Sequence, residues 1–232
     1  VGARDHYDCW TELLPSADFV DYYRNADGSE FKWSDYLTGW NNLTPAQREV
    51  FFLRDNLISN KTAYNNAKSR IGTAVMDKYY LNSGNEARIK KAYSSRDPRL
   101  QQTIITPYSS TNCYSPYWNN GEPMQNKVLR WPYLNRGGNN GDMWHNQRNA
   151  GYYIYKKYNE TEKGRYIERL RCHCDFPLIR FTDVWLLYAE ALNERDRLDE
   201  AITAVNKIRQ RAGMGDLEKG GTGYNSVSNK DD

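Results

Sequence analysis

The clearest hydrophobic pattern along the chain lies in residues 177–213, where two stretches repeat apolar side chains at the spacing of a helix face. The first, residues 182–192, is apolar around most of its circumference, and such a helix needs cover on more than one side. The second sets Leu198, Ala201, Ile202, Val205, Ile208 and Ala212 at helical spacing, so one of its faces belongs to a core. Asp196 is the expected N-cap of this second helix and Gly213 its expected C′ residue. A short polar break separates the stretches, which predicts an antiparallel helical hairpin.

Upstream, the periodic segments are shorter. Residues 18–24 predict a short helix stopped by the Asp27-Gly28 turn, and residues 45–57 predict a second. Helical spacing runs through Ile71, Val75 and Tyr79 across residues 61–81, breaks at residues 82–85, and resumes over residues 86–93. From Asp97 to Tyr155 the period disappears among Pro107, Pro116, Pro123, Pro132 and the run Gly137-Gly-Asn-Asn-Gly141. That composition predicts loops with short strands, and a structureless stretch so long is more often functional than not. The fold class is therefore mainly α, a helical hairpin packed with a long loop-rich region containing a few short strands. Residues 1–232 divide into mixed helix and loop over 1–95, a loop-rich ligand region over 96–176, the hairpin over 177–213 and a tail over 214–232.

Trp185, Tyr188, Ala189 and Leu192, followed by Ala201 and Val205, keep the spacing of the tetratricopeptide signature, with Tyr188 and Leu192 in place of its usual Leu and Tyr. Two antiparallel helices approach closely only where small side chains face each other, the role expected of Ala189 and Ala201. A repeat of this kind cannot bury its apolar face alone, and only one clear copy is present. Either the rest of the chain covers it or the chain is a piece of a longer protein. The second is the expectation, with an apolar patch open beside Trp185 and Leu186. A start at Val1 rather than Met points the same way.

Composition narrows the function. A net charge of +3 with interspersed signs gives no single-sign field of the kind a nucleic-acid binder uses. No stretch approaches 18 apolar residues, and no signal segment opens the sequence. Cys9, Cys113, Cys172 and Cys174 are too few and too unevenly placed for a disulfide framework. Cys172-His173-Cys174 lacks the two-to-four-residue spacing of zinc knuckles and reads better as buried small hydrophobes, so no metal is expected. Sequons begin at Asn42, Asn60 and Asn159, and in so Asn-rich a chain they read as chance.

Asp18/Asp21, Glu190/Glu194 and Asp199/Glu200 have the residue types of glycosidase carboxylates, but acids on helices more often form solvated faces. His6, His145 and His173 fall in no nucleophile constellation, and no Gly-rich phosphate cradle links a strand to a helix. No enzyme activity and no cofactor are expected. The loop-rich stretch does hold the ingredients of carbohydrate recognition. Tyr108, Tyr117, Trp118, Trp131, Tyr133 and Trp144 offer flat faces for sugar C–H groups, and Asn119, Asn120, Asn135 and Arg136 offer partners for hydroxyls. Tyr108, Tyr117, Trp118, Asn119, Trp131 and Trp144 form the candidate binding set, although for any single aromatic a core role is the commoner one. In Asp97-Pro98-Arg99, proline holds Asp97 extended and leaves two charged side chains to pin a loop. Arg180 and Arg209 have the look of loop anchors too.

Pro177-Leu-Ile-Arg-Phe-Thr-Asp-Val-Trp-Leu-Leu-Tyr-Ala-Glu-Ala-Leu-Asn, followed by Ala201, Asn206, Ile208, Arg209, Arg211, Ala212 and Gly213, resembles the hallmark segment of the SusD/RagB family of Bacteroidetes surface lipoproteins. Arg96-Asp97-Pro98-Arg99-Leu100 is similar to that family's Asp-Pro-Arg motif, and Gly151-Tyr-Tyr-Ile-Tyr-Lys-Lys-Tyr158 to its Gly-Tyr-x-x-x-Lys-Tyr stretch. The segment from Asp18 to Gly28 fits as well, so four motifs follow in the family's order. The resemblance implies a non-catalytic, cell-surface glycan-binding lipoprotein of the outer membrane, delivering oligosaccharide to a TonB-dependent, SusC-like transporter. It also implies a chain about twice this size, with earlier hairpins and a lipidated Cys that have no counterpart here. The alternative is a helical-repeat module that binds peptides or proteins, since the family includes RagB-like peptide uptake.

Overall fold

A computed structural model describes residues 15–113, 124–128, 144–145, 150–151, 153–156 and 177–231. The fold is mainly α, with the strands short and paired two by two.

Helix α1, Ala17–Asp21, begins where the Ser16 hydroxyl accepts from the Phe19 amide at 3.1 Å. It is shorter than expected from the sequence, and the Asp27-Gly28 turn follows it. The Asp27 carboxylate accepts from the Ser29 amide at 2.9 Å, and Gly28 sits at φ +90°. A β-carbon at position 28 would also lie 2.4 Å from Asn225 Oδ1, so glycine is required twice over. Helix α2 is Trp33–Tyr36.

Residues 45–57, expected as one helix, form 3-10 turns at Gln47–Phe52 and Leu57–Ser59 instead. The N-terminal signal is present: Thr44 and Gln47 exchange backbone-to-side-chain hydrogen bonds at 3.0 and 3.3 Å, a capping box. What stops an α-helix is Asn85. Its buried amide donates to the carbonyls of Val50, Phe51 and Leu53 at 3.2, 3.1 and 2.6 Å, the acceptors that further turns would need. The next amides are diverted as well, Asp55 N–H to Glu86 and Leu57 N–H to the Tyr80 hydroxyl.

The helical spacing of residues 61–81 is divided into α3, Lys61–Ile71, and α4, Thr73–Tyr79, by Gly72 at φ +102°. Asn60, read as a chance sequon, caps α3 by accepting from the Ala63 amide at 3.1 Å. Helix α5, Asn85–Ser94, and helix α6, Pro98–Thr103, flank the Arg96-Asp97 pair. Leu37, Phe51, Met76, Ile89, Tyr93 and Leu100 form the centre of the core that these elements enclose.

Arg96, only 2% exposed, is the cation of that core. Its guanidinium lies 3.4 Å from the Phe31 ring centroid and donates to the carbonyls of Val20 and Tyr23 at 2.6 Å, closing the end of α1. Asp97 caps α6 by accepting from the Arg99 amide at 2.8 Å, and its carboxylate is gripped by the Arg99 side chain. The Asp97 amide donates to Arg24 O at 2.9 Å. The Asp97 and Arg99 side chains, expected to pin a loop, bond each other at the start of α6 instead, and the segment is pinned by the Arg96 guanidinium and the Asp97 amide.

Strand β1, Ile104–Ile105, leads from α6 toward β2, Ser110–Cys113, β3, Met124–Val128, β4, Trp144–His145, β5, Ala150–Gly151, and β6, Ile154–Tyr155. β1 pairs with β6, β2 with β3 and β4 with β5, all antiparallel.

The hairpin is α7, Phe181–Glu194, and α8, Leu198–Arg211, with Ala189 and Ala201 buried as the spacing required. Asp196 is not the N-cap of α8. It stands at φ +59° as the C′ residue of α7, whose end is a Schellman motif: Asp196 N–H donates to Asn193 O and Arg197 N–H to Leu192 O, at 3.0 and 2.9 Å. Arg197 takes the N-cap position. Gly213, at φ +76°, closes α8 in the same way, with Gly213 N–H on Gln210 O and Met214 N–H on Arg209 O. Arg180 pairs with Asp183 within its own helix terminus at 3.5 Å. The outer side of α7 is open: Leu178, Ile179, Phe181, Leu186 and Leu187 are exposed, the patch the lone repeat predicts, and Trp185 is half-buried under the Lys207 ammonium.

The tail is tied back to both parts. The Asn206 side chain exchanges hydrogen bonds with Leu217 O and N–H at 3.0 and 2.7 Å, leading into the parallel pair β7, Glu218–Lys219, and β8, Ser226–Val227. Arg209 does anchor a loop, donating to Gly215 O and Asn225 Oδ1 at 2.7 Å each. Asn225 Nδ2 in turn donates to Asp27 O at 3.3 Å. Replacing Arg96 with Met should lower the unfolding free energy by about 3 kcal/mol, because two buried carbonyls lose a charged donor. Denaturant titration followed by circular dichroism measures it, and a loss below about 1 kcal/mol would show that the anchor is dispensable.

Candidate functional site

The loop-rich stretch is closed at its base by the β1–β6 pair, with Ile104 opposite Tyr155 and Ile105 opposite Ile154. Lys156 N–H donates to Thr103 O at 2.8 Å and extends this closure by one residue. Ile104 and Ile105 are buried, so the base of the loop is part of the core rather than an appendage. Tyr153, also buried, shares a hydroxyl–hydroxyl hydrogen bond with Tyr93 on α5. Burial raises both phenols well above their usual values, so they stay neutral and hold the loop base as hydrogen-bond partners.

Of the candidate binding residues, Tyr108 is placed in full. It stands at φ +67°, is half-buried, and donates its hydroxyl to Glu86 Oε1 at 2.9 Å. Burial, then the Glu86 charge, push its phenol far up. Glu86 holds the Asp55 amide with its other oxygen, so Tyr108 ties the loop to the α4–α5 region. Trp144 lies in β4, paired with Gly151 of β5, which sets its backbone within the same closed stretch. Tyr117, Trp118, Asn119 and Trp131 lie outside the described residues, as do Tyr133, Asn120, Asn135, Arg136 and the Cys172-His173-Cys174 run.

The carboxylate pairs are placed where their chemistry can be judged. Glu194 pairs with Lys230 at 3.2 Å, Asp199 with Lys219 at 2.9 Å and Glu200 with Arg197 at 2.6 Å, all solvent-facing. Asp21 differs. Its Oδ2 accepts from Trp33 Nε1 at 2.8 Å, while its buried Oδ1 has no protein partner. Burial raises this carboxyl above its usual 3.8, and the Trp33 hydrogen bond and the Arg96 charge only partly oppose that. Neighbouring Asp18 is exposed on α1. Arg88, over the Phe51 ring, is pulled down to about 10 by burial and donates to Tyr79 O at 2.8 Å. Among the described residues no cluster of three or more His, Cys, Asp or Glu side chains could hold a metal, and no helix is long and apolar enough to cross a membrane.

One surface escaped the sequence reading. Phe19, Tyr22 and Tyr23 follow each other at i, i+3 and i+4, a helix-face spacing that was legible but belongs to a helix of only five residues. Its meeting with Tyr155 of β6 across the fold was not legible.

A mainly helical chain, carrying a tetratricopeptide-like hairpin and a long loop closed onto the core beside an Asp-Pro-Arg anchor, defines a binding scaffold. The profile of the SusD family matches residues 2–232, and the chain belongs to that family. A search of curated proteins finds no match. Among solved structures, a SusD-like protein from Bacteroides fragilis is similar at 20% identity with a TM-score of 0.49, over 91% of this chain and 30% of that one. The chain therefore spans less than a third of that protein's length.

Because folding raises the Asp21 pKa, the folded state binds this proton more tightly than the unfolded chain. The contribution of Asp21 to stability is full below pH 3.8 and is lost as pH rises through the raised value. Relative to Asp21→Asn, the parent protein should lose stability over that window. Chemical denaturation at matched pH values tests it, and parallel curves for the two proteins would refute the assignment.

Proposed function

We propose that this chain is the ligand-handling part of a non-catalytic, cell-surface glycan-binding lipoprotein that delivers oligosaccharide to a TonB-dependent outer-membrane transporter. The observation that carries this reading is membership of the SusD family over residues 2–232. The loop built on β1 and β6 supports it, because a binding loop needs a rigid base, and here the base is buried and tied by Tyr153 and Tyr108. The stretch between those ends holds Tyr117, Trp118, Asn119, Trp131 and Trp144, aromatic faces beside amide donors that suit a pyranose ring with its hydroxyls. Among the described residues Glu194, Asp199 and Glu200 sit in exposed ion pairs, which suits a solvated surface better than general-acid chemistry.

Titration calorimetry of the purified chain against a panel of oligosaccharides, with reducing-end assays on the same mixtures, tests the reading. Trp118→Ala, Trp131→Ala and Trp144→Ala should each weaken glycan binding by about 1–3 kcal/mol with little change in melting temperature. Three variants that bind like the parent yet melt lower would place the site elsewhere. Binding of oligopeptides but no saccharide would favour the peptide-uptake role, and release of reducing ends would show an enzyme.

A further inference from the structure

The solvent side of α1 is aromatic. Phe19 is 43% exposed on this helix and Tyr22, its C-cap residue, 88% exposed, while Val20 is buried. Phe19 packs edge-on against Tyr23 at 5.6 Å between ring centroids and lies 6.5 Å from the Tyr155 ring of β6. Rings of this size left in water on a short helix cost apolar burial that Lys or Glu at the same positions would not forgo. No packing need within the described residues accounts for Tyr22.

Three guanidinium groups drawn from three elements come together just past the end of α1. Arg24 follows α1 and donates to Gly28 O at 3.1 Å; Arg99 opens α6 and holds Asp97; Arg209 ends α8 and holds Gly215 O and Asn225 Oδ1. The fold brings them together through contacts already described. The Asp97 amide bonds to Arg24 O, Asn225 lies against Gly28 while accepting from Arg209, and a β-carbon on Gly213 would come 3.8 Å from Pro98. Burial first, then the charges of Arg99 and Arg24, lower the Arg209 pKa, while Asp97 and Asp216 oppose this. Tyr23 links rings and cations, since its phenol interacts with the Arg99 charge. Arg24 and Arg209 each bond only neutral oxygens, so among the described residues neither is in an ion pair. Arginines with unfilled donors and no carboxylate partner match a planar oxyanion.

We propose that Phe19, Tyr22 and Tyr23 with Arg24, Arg99 and Arg209 form a subsite for a carboxylate-bearing saccharide, a uronic acid unit whose ring face lies on the aromatics and whose carboxylate meets the guanidinium cluster. The inference rests on the glycan-binding reading and adds the charge class of one ligand unit. It uses none of the tryptophans of the 104–149 stretch.

The test is calorimetry of the whole chain with tetragalacturonate and with its methyl ester, which keeps the ring face and removes the charge. The acid should bind about tenfold or more tightly than the ester at low salt, and added salt should narrow the gap, as screening requires. Tyr22→Ala should weaken both ligands, because the ring serves either. Arg24→Gln should weaken the acid alone, and circular dichroism melts should show both variants folded like the parent. Equal binding of acid and ester, or an Arg24→Gln variant that keeps the preference, overturns the subsite. If a neutral oligosaccharide binds while tetragalacturonate does not, the subsite falls and the glycan-binding reading stands. If no saccharide of either kind binds, both fall.

Discussion

The structure depends on a cation inside an aromatic core. Arg96 brings its guanidinium against Phe31 and spends its hydrogen bonds on the carbonyls at the end of α1, joining segments more than seventy residues apart in sequence. A buried guanidinium is tolerable only with acceptors fixed around it and a polarisable ring beneath it, and both are present here. The same residue leads into Asp97, which caps α6 and bonds the backbone of Arg24. One tripeptide therefore sets the position of α1, the start of α6 and, through β1, the base of the long loop.

Asn85 plays the corresponding part for the 3-10 segment. Its side-chain amide replaces helix amides on the carbonyls of Val50, Phe51 and Leu53, so a stretch with a sound helix start becomes a tightly turned cover for α5. Both anchors are polar groups in apolar surroundings, where a satisfied hydrogen bond is strong and an unsatisfied one is costly. Among the described residues Asp21 Oδ1, Arg88 Nε, Arg96 Nη1 and Asn193 Oδ1 are buried without a hydrogen-bond partner, and the Arg96 charge acts on Asp21.

Among the described residues, polar side chains join the hairpin to this core. Arg209 and Asn225 reach from the end of α8 to the Asp27-Gly28 turn, and Pro98 meets Gly213. The apolar outer side of α7 is left open, while its inner side packs on α8 through Ala189, Ala201 and Ala204.

By itself the sequence determined the elements whose signals are local. The hairpin followed from its 3.6-residue period, the Ala189–Ala201 approach from side-chain size, and the α8 terminus from Gly213, because each depends on neighbours within a turn or two. Proline and glycine content gave a loop with short strands over residues 97–155; Pro98–Thr103 form helix α6 instead, started by the Asp97 cap, and short strands follow it among the described residues. Tertiary structure alone decided the rest. Asn85 turned a predicted helix into 3-10 turns, Asp196 ended one helix rather than starting the next, and Gly72 divided α3 from α4. It also brought Arg24 and Arg99 close enough to Arg209 for their charges to act on it, residues up to 185 positions apart, where no periodicity could connect them. Local period records which face of an element is apolar, whereas the partners of a buried polar group or an exposed charge are chosen only when distant segments meet.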